Sequence, residues 1–135
     1  MRWVGVDPGG ARVGIAVCDD DERIAVPVEV VPASVAVPAI RTVATREHAY
    51  GIVIGLAVSM DGRERASAAA GRRLGERVRR VLGLPVEYED ERLSTAAAER
   101  SVGRSRPSDD IAAAHILQQF IDRRRREGRV GESLP

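Results

Sequence analysis

Asp7, the Asp90-Glu91 pair and the Asp109-Asp110 pair are the residues whose types and placement could do chemistry; they stand in VGVDPGGARVGIAV, VEYEDERLST and SDDIAAAHILQQF. Carboxylate oxygens are what hard divalent cations take as ligands. Acids gathered by folding would therefore make a cation site, but these are far apart in sequence and the fold has to bring them together. Local patterns favour that. Asp7 follows Val4 and Val6, Asp90-Glu91 follow Val86 and Tyr88, and Asp109-Asp110 open a helical run. All three stations thus fall at element ends, where a rigid scaffold presents functional groups.

The positioning elements can be read from period and punctuation. Residues 2–7 and 12–18 are apolar runs separated by Pro8, Gly9 and Gly10, which predicts a strand, a turn and a second strand. A third strand over Ile24–Val31 carries Pro27 and is followed by Pro32, which assigns it to a sheet edge or strand end. Ala39, Ile40, Val43 and Ala44 share one face of a helix within 35–48. The nearly all-apolar run from Gly51 to Leu56 reads as a strand covered on both faces, running out into Ser59, Asp61 and Gly62. Residues 64–82 form the longest helical pattern, with Ala70, Leu74, Val78 and Leu82 on one side and Arg72, Arg73, Arg77, Arg79 and Arg80 around the rest, until Gly83 stops it. Pro85–Tyr88 gives a last strand, Ser94 caps a short helix over 95–101, and Ser108 caps a final one through Asp122. The expected fold class is α/β: a mixed five-stranded sheet with an antiparallel start and a parallel finish, flanked by helices. Residues 1–126 form one domain, and 127–135 read as a flexible C-terminal tail.

Composition narrows the class. With 135 residues and 44% hydrophobic content the chain can bury one core and no second domain. Its 21 basic and 20 acidic residues leave a net charge of +1, so bulk charge does not announce a polyanion partner. All the basic residues are Arg, which suits forked phosphate contacts and equally reflects coding bias. A single cysteine, Cys18, excludes an internal disulfide and a Cys-rich metal site and reads as a small core residue. No basic-then-apolar leader and no membrane-length apolar run occurs, so a cytoplasmic protein without membrane contact is expected.

The blocks VGVDPGGARVGIAV, VIGLAVSMDG, GLPVEYEDERLST and DDIAAAHILQQFID, in this order, resemble those of the YqgF/RuvX family, the pre-16S rRNA nucleases formerly described as Holliday junction resolvases. The resemblance covers nearly the whole chain and implies an RNase H-like fold. It implies a nuclease that matures the 5′ end of the small-subunit ribosomal RNA precursor, using a divalent metal, Mg²⁺ or Mn²⁺, and three acids. Carried over by position, these are Asp7, Glu91 in the DER block, and Asp109, the first residue of the family's D-x-x-A-A-x-x-I-L-Q pattern. Chemistry supports such a set independently. Carboxylate-held Mg²⁺ ions can neutralise a phosphodiester and stabilise its leaving oxygen, and Mg²⁺ needs only a few protein carboxylates. Asp7 would take the bridging position, with Glu91 and Asp109 holding one metal each. Gly9 would let a phosphate approach the turn, while Arg12, Arg92, Arg104 and Arg106 would orient neighbouring phosphates.

Plainer readings stand beside these. Asp7-Pro8-Gly9 is also an ordinary turn. Asp109 also suits a helix start electrostatically, and Glu91 could pair with Arg92 or Arg100. Asp90 competes with Glu91 as the second acid. His115 reads as a buried, satisfied histidine, His48 as a surface residue, and Arg123–Arg126 as a solvated helix end. Departures from the family pattern touch the loops: Arg65 and Ala66 replace a Gly-Pro pair, and the basic loop before the last acid is reduced to residues 103–108. Two other classes remain as alternatives, a non-catalytic nucleic-acid-binding module on the same fold and the phosphate loop of an actin-like nucleotide binder, which 135 residues are too few to complete. A branched-DNA substrate would need two active sites and hence a dimer; a monomer or weak homodimer acting on RNA is the simpler expectation.

Overall fold

The computed structural model describes residues 1–57, 66–91 and 108–135. Its strands are β1 (Trp3–Pro8), β2 (Arg12–Cys18), β3 (Ala25–Pro32), β4 (Gly51–Leu56) and β5 (Val86–Asp90). Its helices are α1 (Ala36–Glu47), α2 (Ala66–Leu82) and α3 (Asp109–Arg126), with a 3₁₀ turn at Ala33–Val35 before α1. The strands form one sheet in the order β3-β2-β1-β4-β5. β1 pairs antiparallel with β2 and β2 with β3, whereas β1–β4 and β4–β5 are parallel. The antiparallel start and parallel finish are as expected, and β3 is the predicted edge. Pro27 lacks an N–H to give to the ladder. The register between β2 and β3 shifts there, with Ile15 opposite Glu29 and Ala16 opposite Pro27. The short helix expected over 95–101, with its Ser94 cap, lies outside the described residues.

Alternation along the strands sorts side chains into two cores. Val4, Val6, Ile52 and Ile54 face α1 and α2, joined by Val86 and Tyr88 at the margin. Trp3, Ala16 and Val53 face α3 and meet Ala113, Leu117 and Phe120. Gly83, at φ 69°, ends α2 in the left-handed region that glycine enters without a Cβ penalty.

The C-terminal end differs from the sequence expectation. Arg124 is buried, and its Nε donates to Glu22 Oε1 at 2.5 Å beneath the Trp3 ring. Glu22 is fully buried; it also accepts from Trp3 Nε1 at 3.1 Å and from the Gly131 amide at 2.6 Å. Arg124 Nη2 donates to the carbonyls of Arg129 and Glu132, both at 2.8 Å, and the Leu134 amide donates to the Tyr50 hydroxyl at 2.9 Å. Residues 127–135 are therefore tied back to Glu22, Arg124 and Tyr50. The run Arg123–Arg126, read as a solvated end, is largely structural: Arg123 pairs with Glu89 at 2.6 Å and Arg125 donates to the carbonyls of Asp21 and Glu22. A buried charge persists where an opposite charge and hydrogen bonds meet it. Glu22 reaches that position from a tight turn in which it sits at φ 53°, while Asp19 Oδ1 accepts from the amides of Arg23 and Ile24.

Candidate active site

Asp7 lies near the end of β1, directly opposite Gly14 of β2. It follows Trp3 and Gly5 by the two-residue period, so it lies on the α3 face of the sheet. Gly14 is where α3 comes closest, since a Cβ there would fall inside the carbonyl group of Asp109. The helix can begin against the hairpin only because Gly14 has no side chain. Asp109 consequently overhangs the β1–β2 turn, and a Cβ added at Gly9 would sit 3.5 Å from its Oδ1. We expect Gly14→Ala to lower stability by about 2–3 kcal/mol through overpacking. Gly10→Ala, where nothing lies within 4 Å of the added Cβ, should change it by under about 0.5 kcal/mol. Urea midpoints of both variants check this, and equal midpoints would refute the close approach.

The residues at the end of β5 face in different directions. Tyr88 packs on α2 with its hydroxyl donating to the Arg72 carbonyl at 3.3 Å, and Asp90 shares that parity, in register with Leu56 of the same core margin. Glu89 points the other way, buried under α3 and bonded to Gln119 and Arg123. Glu91 lies one residue beyond the strand and is buried. Asp7, Glu91 and Asp109 all line one cleft, whereas Asp90 and Asp110 do not. Asp110 is engaged at the helix start instead, where its Oδ1 accepts from the Ser108 hydroxyl at 2.5 Å and from the Ile111 amide at 3.0 Å. Ser108 occupies the N-cap position as expected, yet its hydroxyl makes no capping bond to the helix backbone, because Asp110 takes it.

The cleft measures about 1020 Å³ among the described residues, at the upper end of what a small ligand fills. Asp7 and Glu91 are 4% and 5% exposed, and Asp109 is half-buried. Oxygen donors of this kind suit Mg²⁺ or Mn²⁺. Among the described residues no three acidic, His or Cys side chains close into a ready-made metal cluster. Asp7, Glu91 and Asp109 thus share a cleft without meeting at one point. The carboxylates therefore fit a hard cation by donor type and by their common cleft.

The facing wall belongs to α2, from which Arg72, Arg73, Arg77 and Arg80 line the cleft. Sequence reasoning placed these arginines around the rest of the helix and gave them no role; the available signal was the spacing of Arg73, Arg77 and Arg80, which puts them on one side of the helix. Gly9 lines the cleft as expected. Arg12 is exposed at the start of β2 and is not part of the lining. Arg92, Arg104, Arg106, Arg100, Ser94 and Asp61 lie outside the described residues. His115 is half-buried in α3 and lines a separate hollow with Glu89 and Gln119. Its Nδ1 has no hydrogen-bond partner, contrary to the expected satisfied histidine. His48 is exposed at the α1 C-cap, as predicted. Cys18 is buried, and that burial pushes its thiol up to about 11, in keeping with a core role.

The sheet order, the helix packing and the acids at strand and helix ends define an RNase H-like fold. The structure of Thermus thermophilus RuvC is similar over 96% of this chain and 98% of that one, at TM-score 0.58 and 19% identity. The same protein in complex with a Holliday junction substrate gives TM-score 0.60 at 18% identity. A family model described as "RuvX: Holliday junction resolvase" matches residues 1–123, and the chain belongs to the RuvX family. Relatives named "Putative pre-16S rRNA nuclease" include one from Anaeromyxobacter sp., 42% identical over 92% of this chain and 98% of its own length. Another, from Lactobacillus delbrueckii subsp. bulgaricus, is 32% identical over 94% of this chain and its whole length. Among the described residues, no helix is long and apolar enough to cross a membrane.

Proposed function

We propose that this chain is a metal-dependent nuclease that hydrolyses phosphodiester bonds in the 5′ region of precursor 16S ribosomal RNA, in the cytoplasm, as a monomer or weak homodimer. The observation that carries the reading is the convergence of Asp7, Glu91 and Asp109, from three distant parts of the chain, on one cleft walled by arginines. Carboxylates converging without a cation would repel a polyanion, which weighs against a pure binding module. Asp7, Glu91 and Asp109 would hold Mg²⁺ or Mn²⁺. When bound, the metal supplies charge neutralisation at the phosphate and polarisation of a water.

The remaining work falls to the chain. Asp7, buried on a rigid strand end, fixes the centre of the site; Glu91 and Asp109 set its two sides. Gly9 leaves room for a phosphate beside the turn, and the arginines across the cleft orient the strand. Arg12, Arg92, Arg104 and Arg106 would contact flanking phosphates. The names of the relatives support a ribosomal RNA precursor as substrate. The family description favours branched DNA as the second reading.

Wild-type protein incubated with Mg²⁺, Mn²⁺ or a chelator, against a labelled pre-16S leader, unrelated single-stranded RNA, duplex DNA and a four-way junction, separates these. We expect cleavage of the leader that requires either metal. Preferential cutting of the junction would move the branched-DNA reading ahead. Binding without cleavage of any substrate would leave a binding module.

A further inference from the structure

Among the described residues, many arginines are engaged with carboxylates and a cluster on α2 is not. Arg2, Arg46, Arg79, Arg123, Arg124 and Arg129 each pair with a carboxylate. Arg73, Arg77 and Arg80 make no hydrogen bond or ion pair, although Glu76 stands among them and is taken by Arg79 at 2.8 Å. All three lie on the side of α2 that walls the acid cleft. The cleft does not end there. Arg77, Arg80 and Ala33 also line an adjoining hollow completed by Ser34, Val37 and Val81, so the groove runs on between α2 and the 3₁₀ turn that leads into α1.

We propose that this groove is the path by which a single nucleic-acid strand leaves the acid site, with Arg73, Arg77 and Arg80 as successive phosphate contacts. The proposal rests on the nuclease reading for its direction but not for its chemistry. Seven residues of helix rise about 10.5 Å, and a stacked strand carries a phosphate about every 3.4 Å of its axis. The arginine row therefore spans about three phosphates. Glu76 lies near enough to feel the charge of Arg80, but its hydrogen bond goes to Arg79, and guanidinium groups that donate to no carboxylate keep their donors for phosphate oxygens. The opposite bank and floor, built from Ala33, Ala36, Val13 and Leu74, offer almost no side-chain donors or acceptors to base edges. Contacts to phosphate and sugar alone give grip without sequence preference.

The test is the salt dependence of binding by a short fluorescein-labelled single-stranded RNA, followed by anisotropy in chelator, so that no metal contributes and no cleavage occurs. Three lost phosphate contacts on a single strand should flatten the slope of log K against log salt by about 2. We expect this of Arg73→Gln/Arg77→Gln/Arg80→Gln, with affinity falling at least about tenfold at low salt. The control Arg23→Gln/Arg41→Gln/Arg126→Gln removes the same formal charge from exposed positions elsewhere and should flatten the slope by less than half as much. Equal slopes for the two triple variants would mean bulk charge alone and overturn the path, as would a wild type that binds no strand without metal. Should the slopes differ as expected while wild type cuts nothing with Mg²⁺, the path stands and the nuclease reading falls.

Discussion

On the proposed nuclease reading, Asp7→Asn is expected to leave a folded protein that cuts RNA about a thousandfold more slowly with Mg²⁺, a loss of about 4 kcal/mol in transition-state stabilisation. The substitution keeps the shape of a side chain that is 4% exposed and removes only its charge. A large loss of rate beside a small change in thermal midpoint therefore speaks of chemistry, not of folding. The neighbours sharpen the result. Glu91→Gln and Asp109→Asn should behave like Asp7→Asn, while Asp90→Asn and Asp110→Asn, which lie off the cleft, should lose less than about tenfold. If Asp90→Asn and Glu91→Gln exchanged places in this series, the second acid would be misassigned. If Asp7→Asn cut as fast as wild type, the three-acid site would be wrong altogether.

Arg124→Met is expected to destabilise the fold by about 3–5 kcal/mol, because it strands the charge of Glu22, which is fully buried. Methionine replaces much of the arginine stem, so little of this loss is packing. In the double variant Glu22→Gln/Arg124→Met no charge is left without a partner, and its loss should be smaller than the sum of the two single losses. Urea unfolding of all four proteins measures the coupling; strictly additive losses would dissolve the pair. The ion pair also sets an acid limit. Burial pushes the Glu22 carboxyl up, but hydrogen bonds from Arg124 and the Gly131 amide outweigh it and hold the group below its ordinary 4.5. A carboxylate with a lowered folded value stabilises fully above its unfolded value and ceases to do so as pH falls through the folded one. Wild type should thus lose this contribution below pH 4.5, and Arg124→Met should lack that part of the acid slope.

Strand punctuation carried most of the architecture. The turn at Pro8-Gly9-Gly10, the edge marked by Pro27 and the all-apolar run from Gly51 to Leu56 each correspond to a physical limit on what those residues can do in a sheet, and the structure has all three. The acids were legible as element ends, but which of Asp90 and Glu91 meets the cleft was not, because the strand ends between them. Other features were hidden because their signals are two-sided. A glutamate in a strand or after a run of aspartates reads as surface, so nothing local shows that Glu89 and Glu22 are buried until Arg123 and Arg124 arrive from the far end of the chain. The basic side of α2 went without a role because a helix pattern alone does not say which of its sides meets a cleft.

The three acids come from the beginning, the later middle and the last helix of the chain. On the nuclease reading, no stretch that lacks Asp7 or Asp109 is chemically competent. A chain still emerging from the ribosome carries Asp7 long before Asp109, and a cut anywhere between them leaves neither fragment with all three acids. Docking of the last helix against the first hairpin is then the step that arms the molecule.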